Sequence, residues 1–392
     1  MKKEIFEFID SKKMDFIEMS KFIYKNPEIG LEEYKSSKCI IDYLENNNFK
    51  IERGLSGYST AFKATYIKGN PKVSIGLLCE YDALENIGHA CGHHMQGPSI
   101  VAAAVSLKEV MKNENFKIVV YGTPAEETIG GKIKMVEDGY FKDIDVALMM
   151  HGSTTTTTDI KSLAMTNFTV KFYGRSSHAA LAPEKGRSAL DGLLLLFQGI
   201  EFLREHVKDD VRIHYTISNG GGPANIVPEF SEAKLSIRSY ERDYLNSVIE
   251  RFKNIVKGAS LMTETSYEII ETKSLNNKIP VFSLNNLIMD NAKLVKAPRI
   301  SEPREKTGST DFGNVMFNVP GSCIRIAFAP IGTSSHSKDF LEYGKSKECE
   351  DAIIYASKIL AGVSFDLIND SNLLASIKEE FIKNKKSANK IC

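Results

Sequence analysis

Net charge is the first thing this sequence lacks: over 392 residues, Lys and Arg number 50 and Asp and Glu number 50. A balanced chain offers no overall electrostatic attraction to nucleic acid or to an anionic membrane. It also lacks any run of eighteen apolar residues, so no membrane-spanning helix is expected. The opening residues Met1-Lys2-Lys3-Glu4-Ile5-Phe6 begin an amphipathic, strongly charged segment and not the basic stub and apolar stretch of a secretory leader. Six cysteines (Cys39, Cys79, Cys91, Cys323, Cys349 and Cys392) stand at irregular spacing and do not form a disulfide framework. A cytoplasmic protein is expected, whose reducing surroundings keep Cys91 free to bind metal. No internal repeat or low-complexity linker is found. With 42% hydrophobic residues the chain has ample material for a core, and its length predicts two domains, one inserted in the other.

What is present is a concentration of metal-ligand chemistry at Gly88-His89-Ala90-Cys91-Gly92-His93-His94. Cys91 and His93 flank a glycine, so a tight turn can aim a sulfur and an imidazole nitrogen at one point, a pair that Zn²⁺ accepts. A buried cysteine in a glycine-rich turn is the plainer alternative, and other parts of the chain have to decide between them.

The first 47 residues read as two helices broken at Asn26-Pro27-Glu28-Ile29-Gly30. Val73–Cys79, Lys117–Gly122 and Asp145–Met150 are short, nearly continuous apolar runs, the pattern of strands covered on both faces. An Ala/Val-rich helix from Pro98 to Met111 separates the first two. Such alternation predicts an α/β fold with a mostly parallel sheet and helices on both faces. In such sheets the ligand site lies outside the carboxyl ends of the strands. Asp82, Glu126, Glu127 and His151 all fall there.

From about residue 164 the pattern becomes one of alternating strands. Strands near 167–173, 211–218, 232–238 and 266–271, with helices near 187–206 and 243–257, give the β-α-β-β-α-β order of a ferredoxin-like unit. The buried pattern resumes with a helix near Val281–Val295 and a strand Cys323–Phe328, followed by Gly332-Thr333-Ser334-Ser335-His336. The predicted layout is residues 1–163 as the first part of a catalytic domain, 164–275 as an inserted α+β lid and dimerisation domain, and 276–392 as the second part. From Ser376 the lysine-rich tail reads as a helix that frays into a solvated end.

Collected, the candidate ligands are Cys91, His93, Glu127, His151 and His336, with Glu126, Asp82 and His89 close by. Five exceed the four of a tetrahedral zinc site and suit two metals sharing a bridging group. Two cations lower the pKa of a water from roughly 16 toward about 7 and polarise a carbonyl oxygen. If Glu126-Glu127 lies in an extended segment, one carboxylate faces metal while the other serves as base. Two exposed glutamates opening a helix are the bland alternative.

These residues resemble the aminoacylase and carboxypeptidase metallohydrolases, peptidase family M20, and are most similar to its amidohydrolase branch of N-acyl-amino-acid deacylases, indole-acetyl-amino-acid hydrolases and aminobenzoyl-glutamate hydrolases. The motifs carrying the resemblance are Asn26–Gly30 with Glu32-Glu33, Asp82-Ala83-Leu84, His89–His93, Pro124–Glu127, Ser177-His178-Ala179-Ala180, Asn225–Pro228, Ser309–Phe312 and His336. They span nearly the whole chain in order. The resemblance implies two divalent metals per subunit (Zn²⁺, with Mn²⁺ or Co²⁺ as alternatives) held by Cys91, His93, Glu127, His151 and His336. It implies Glu126 as general base and a homodimer formed through the inserted domain. It places His178, expected to open a helix, in the neighbouring subunit's active site as a donor to the oxyanion. Asn225 and Arg238 resemble the lid residues that hold the amino-acid part of the substrate, for which a guanidinium's paired donors are suited. Glu80-Tyr81-Asp82 departs from the commoner His-x-Asp, which makes Asp82 an orienting group. His94 replaces the usual Asp or Asn.

The expected function is a metal-dependent hydrolase that cleaves the amide of an N-acyl or N-aminoacyl amino acid, or a dipeptide. The competing expectation is a binding protein for such conjugates that has lost turnover. A zinc-stabilised structural module is disfavoured, because its ligands would be four and closely spaced.

Overall fold

The computed structural model describes residues 1–388. The chain forms one unit from Met1–Lys161 and Lys278–Lys386, and a second whose body is Ser162–Asn277.

The first unit opens with three helices where two were predicted: α1 (Lys2–Ser11), α2 (Lys13–Lys25) and α3 (Tyr34–Asn46). The break at Asn26–Gly30 separates α2 from α3. The additional one falls at Lys12, whose backbone leaves helical geometry at φ −109° and ψ 8° with no proline or glycine to announce it. There follow β1 (Lys50–Arg53), β2 (Phe62–Lys68), β3 (Ser74–Cys79), α4 (Gln96–Val110), β4 (Phe116–Gly122), α5 (Gly131–Glu137), β5 (Val146–Ser153) and β6 (Thr157–Ser162).

The second unit runs β7 (Ala164–Tyr173), α6 (Ala189–Arg204), β8 (Arg212–Asn219), β9 (Phe230–Ser239), α7 (Arg242–Thr263) and β10 (Ser266–Leu275). This is the expected β-α-β-β-α-β order, and the four strands pair antiparallel as β10-β7-β9-β8. Burial alternates strictly along β9, because successive side chains of a strand take opposite faces and one face meets the helices. Phe168 of β7 and Phe252 of α7 meet with ring centroids 5.1 Å apart in that core. The buried Arg242 guanidinium ties the entry and exit of the unit together by donating to the carbonyls of Met165 and Leu275.

The chain returns to the first unit as α8 (Phe282–Leu294), β11 (Arg304–Thr307), α9 (Phe312–Met316), β12 (Gly321–Ala327), α10 (Lys338–Tyr343), α11 (Lys347–Asn369) and α12 (Ser371–Ala388). Its eight strands lie in the order β1-β2-β4-β3-β5-β12-β6-β11. The central β4, β3, β5 and β12 are mutually parallel, and the flanking strands β2 and β6 join them antiparallel. Every residue of β3 is buried, as the continuous apolar run requires. Helix α4 packs on β3 and β5 beneath α1, α2 and α11. A second core of Leu78, Tyr121, Met149, Phe312, Val315 and Cys323 fills the opposite face. No described helix is long and apolar enough to cross a membrane. The predicted tail helix begins earlier, at Ser371, and its solvated end from residue 389 lies outside the described residues.

Candidate metal centre

Parallel strands present their carboxyl ends along one edge of a sheet, and the candidate ligands emerge from that edge. His151 lies near the carboxyl end of β5, Glu80 and Asp82 follow β3, and Glu126 and Glu127 follow β4. Cys91 and His93 flank Gly92, whose φ of +85° is the left-handed conformation that glycine adopts without a Cβ penalty. His336 comes after β12, and its backbone N–H donates to the carbonyl of Ala90 at 3.0 Å, which anchors it beside the Cys91 turn.

The five side chains converge. Cys91 Sγ is 3.5 Å from His151 Nε2 and 3.3 Å from His336 Nε2. Glu127 Oε1 is 3.4 Å from His336 Nε2 and 3.9 Å from His93 Nε2. The ligand atoms form two compact groups that share the sulfur, Cys91 with His93 and His151, and Cys91 with Glu127 and His336. Glu126 lies with Glu127 and His93, and also with Glu80 and Asp311. The segment carrying Glu126 and Glu127 is a turn, not the extended stretch anticipated, and both carboxylates line the same cavity of about 310 Å³.

Neighbouring groups set the histidine tautomers. His93 Nδ1 donates to Asp82, with the backbone oxygen at 3.0 Å and Oδ1 at 3.1 Å, and His151 Nδ1 donates to the carbonyl of Gly152 at 2.9 Å. Each ring therefore turns its Nε2 toward the cluster, the nitrogen that a metal would take in its unprotonated form. The other Asp82 oxygen, Oδ2, accepts the backbone N–H of Glu127 at 2.9 Å, so one carboxylate orients two candidate ligands.

A cation fits this donor set. Among the described residues, His93 Nε2 and Glu127 Oε1 are buried without a well-formed hydrogen bond, their nearest opposite groups being Glu80 Oε2 at 3.2 Å and His336 Nε2 at 3.4 Å, an arrangement that a cation would satisfy better. Burial pushes the Cys91 thiol up to about 12, and burial together with the charges on Glu80, Asp311 and Glu127 pushes Glu126 up to about 8. Divalent charge at this point would reverse both effects.

Behind the ligands lies a polar layer that sequence reasoning missed. The fully buried Lys132 ammonium contacts Glu80 Oε1 at 2.6 Å and Asp311 Oδ1 at 2.8 Å. Burial alone would raise the Glu80 pKa, but Lys132 and then His93 and His151 outweigh it and hold Glu80 at about 2. Glu33, also fully buried, accepts the backbone N–H of Ala125 at 2.8 Å and the hydroxyl of Thr60 at 2.8 Å. Ala125 has the unusual φ of +61°, so Glu33 braces the turn that presents Glu126. The presence of Glu33 in a family-like motif was the one available signal. His89 and His94 belong to neither ligand group; their rings pack together at 5.6 Å and His94 Nε2 reaches the carbonyl of Gly344.

In the second unit His178 does not open a helix. It sits in an isolated bridge with Ile226, and α6 begins only at Ala189, because Pro183 and Gly186 intervene. His178 is exposed, and its Nδ1 accepts the backbone N–H groups of Ala180 and Leu181 at 3.2 and 3.3 Å, leaving the proton on Nε2. Asn225 is adjacent, its carbonyl accepting from Ala179 at 3.0 Å. Arg238 is not brought to them. It lies at the opposite end of β9, paired with Met165 where the chain enters the unit.

Comparison with known proteins bears on this arrangement. A family model described as a peptidase dimerisation domain matches residues 161–262. The Xaa-Arg dipeptidase of Mus musculus is 33% identical over 97% of this chain and 92% of its own length. One of the polypeptides of the p-aminobenzoyl-glutamate hydrolase of Escherichia coli (strain K12) is 28% identical over 96% of this chain and 95% of its own length. Among solved structures, an aminobenzoyl-glutamate utilization protein from Klebsiella pneumoniae aligns with a TM-score of 0.72 at 20% identity, covering 92% of this chain and 97% of its own. A dinuclear metal-binding peptidase of the M20 family from Bacillus subtilis aligns with a TM-score of 0.69 at 16% identity, over 92% and 99%. At those identities the structural likeness is one of fold.

Proposed function

Because the chain belongs to the M20 peptidase family, it is a metal-dependent hydrolase of amide bonds in N-acyl amino acids or dipeptides, and we propose the following assignment of its residues. Cys91, His93, His151, Glu127 and His336 would hold two divalent cations. The observation that carries this reading is the convergence of the five side chains into two groups around one sulfur. Zinc suits a thiolate, two oriented imidazoles and a carboxylate best, with Mn²⁺ and Co²⁺ as alternatives. Bound there, two such ions supply Lewis acidity toward the amide carbonyl and the attacking water.

Glu126 is the base: it takes the proton of the attacking water and delivers it to the departing nitrogen. Its partly buried position beside Glu127 and His93 suits that traffic. His178, protonated on Nε2, donates to the oxyanion that develops on the carbonyl. Its place at the end of the inserted unit remote from Met165 and Arg238 supports service to a partner's site, in a homodimer built through residues 164–275. Arg238 grips the carboxylate of the substrate's amino-acid part, and Asn225, which lies beside His178 and apart from Arg238, reaches that part from the partner's inserted unit. The five described cysteines are all unpaired, which supports a cytoplasmic location. Nothing in the site favours binding without turnover, since the base and ligand set are complete.

The experiment is Glu126→Gln. Metal content and thermal stability should stay near those of the parent, while turnover of N-acyl amino acids and dipeptides falls by about two to four orders of magnitude. Activity kept within about tenfold of the parent would remove Glu126 from the role.

A further inference from the structure

His94 follows the candidate ligand His93 directly and belongs to neither ligand group, yet its side chain is buried, with 1% exposed. Its Nε2 meets the carbonyl of Gly344 at 3.1 Å, a partner 250 residues away in the chain. A carbonyl only accepts, so that nitrogen carries the proton and donates it. Gly344 is the residue after α10 (Lys338–Tyr343), and His336 stands just before that helix. The bond therefore joins the turn that carries Cys91 and His93 to the segment that carries His336.

That segment has little of its own to hold it. A helix of six residues is too short to persist without tertiary contacts. His336 has a φ of +64°, a conformation that a residue with a Cβ keeps only where its surroundings enforce it, and its side chain is 49% exposed. Its backbone bond to Ala90 secures one end. At the other end, the Tyr24 hydroxyl donates to the carbonyl of Leu341 at 2.9 Å, and His94 satisfies the Gly344 carbonyl at the end of the helix, where such groups lack an internal partner. The rings of Tyr24 and His94 meet edge to face with centroids 5.0 Å apart. Gly344 itself has helical backbone, φ −61° and ψ −12°, which any residue adopts. A Cβ there would come within 2.9 Å of Leu341 O and Tyr24 Cε2 and 3.0 Å of His94 Cε1, so glycine is needed for room and not for conformation.

We propose that His94 is a positioning residue for the metal centre: its bond to Gly344 docks α10, and with it His336, on the Cys91–His93 turn. The proposal rests on the two-metal reading above and deepens it. His93 and His151 are oriented separately, through their Nδ1 atoms, by Asp82 and the Gly152 carbonyl. The two ligand groups therefore depend on His94 unequally. The group of Cys91, Glu127 and His336 needs the docked segment, whereas the group of Cys91, His93 and His151 draws no residue from it.

Zinc release from the full-length protein tests this without recourse to turnover. The zinc-loaded protein is titrated with a chelator, each equivalent is followed with a zinc-sensitive dye, and the thermal stability of the metal-free form is measured beside it. In His94→Leu one equivalent should leave at a chelator concentration about ten- to a hundredfold lower than in the parent, the usual cost of removing an outer partner of a ligand set, while the other leaves as in the parent. His94→Gln, whose amide N–H stands in for the Nε2 donor, should recover part of that loss. Gly344→Ala and Tyr24→Phe disturb the same docking without altering His94 and should loosen the same equivalent; they decide the matter if His94→Leu does not fold. Release of both equivalents together, in step with a less stable metal-free form, would give His94 a role in folding alone and overturn the proposal, as would release unchanged from the parent. A parent that takes up no zinc overturns the two-metal reading itself.

Discussion

Asp159 shows how much a single side chain can organise without touching the candidate ligands. Burial alone would raise its pKa, but Arg325, Lys278 and Arg304 outweigh burial and hold the carboxyl well below the usual range. A depressed folded pKa contributes stability that is fully present above the unfolded value of about 3.9 and is lost as pH falls through the folded value. Asp159→Asn should therefore destabilise the protein by about 3–5 kcal/mol near neutral pH, because it strands buried cations. In denaturant titrations the gap between parent and variant should stay constant above about pH 4 and narrow below it. A gap that does not change with pH would show that charge is not what Asp159 contributes. The candidate ligands were legible because cysteine, histidine and paired glutamates are uncommon companions with a specific chemistry. Asp159, Lys132 and Glu33 were not, since in a sequence a lysine in Gly131–Glu137 or a glutamate before a helix is indistinguishable from a solvated one. Only the tertiary burial of Lys132 beside Glu80 and Asp311 distinguishes it.

Among the elements, the turn at Gly92 sets the relation between Cys91 and His93. An added Cβ would meet Phe340, Met95 and Gly152 only at 3.6 Å or beyond, which is ordinary contact, so the cost of substitution lies in the backbone. Gly92→Ala should lose about 1–2 kcal/mol of stability, the penalty for a left-handed L-residue. It should also release metal at a lower chelator concentration than the parent. Unchanged retention would mean that the turn does not position these ligands. The three apolar runs that became β3, β4 and β5 were legible because strands buried on both faces leave nearly continuous hydrophobic sequence. The flanking β6, Thr157-Thr158-Asp159-Ile160-Lys161-Ser162, reads as a polar stretch. Its assignment to the sheet comes from pairing with β12 and from charged partners on its neighbours, neither of which periodicity reports. Similarly, no helix-breaking residue marks Lys12, and the first 25 residues read as one helix where there are two.

At the scale of the whole molecule, the assignment of His178 to a partner's site requires two chains for each active centre. Mixed His178→Ala and Glu126→Gln chains, each nearly inactive alone, should regain activity once subunits exchange, because some heterodimer sites then combine an intact His178 with an intact Glu126. Demonstrated heterodimers without recovery would mean that each site is complete within one chain. The two-unit organisation was visible in the change from buried runs to alternating strands near residue 164. The separation of Arg238 from His178 and Asn225 was not, because all three appear in one inserted stretch and only the length of β9 sets them apart. The central claim is that Cys91, His93, Glu127, His151 and His336 together would hold two cations, and metal content per chain tests it most directly. Protein purified without chelator and analysed by elemental mass spectrometry should carry about two equivalents of divalent metal, falling well below that in Cys91→Ser. A parent that binds no metal even after reconstitution with zinc or manganese would contradict the account.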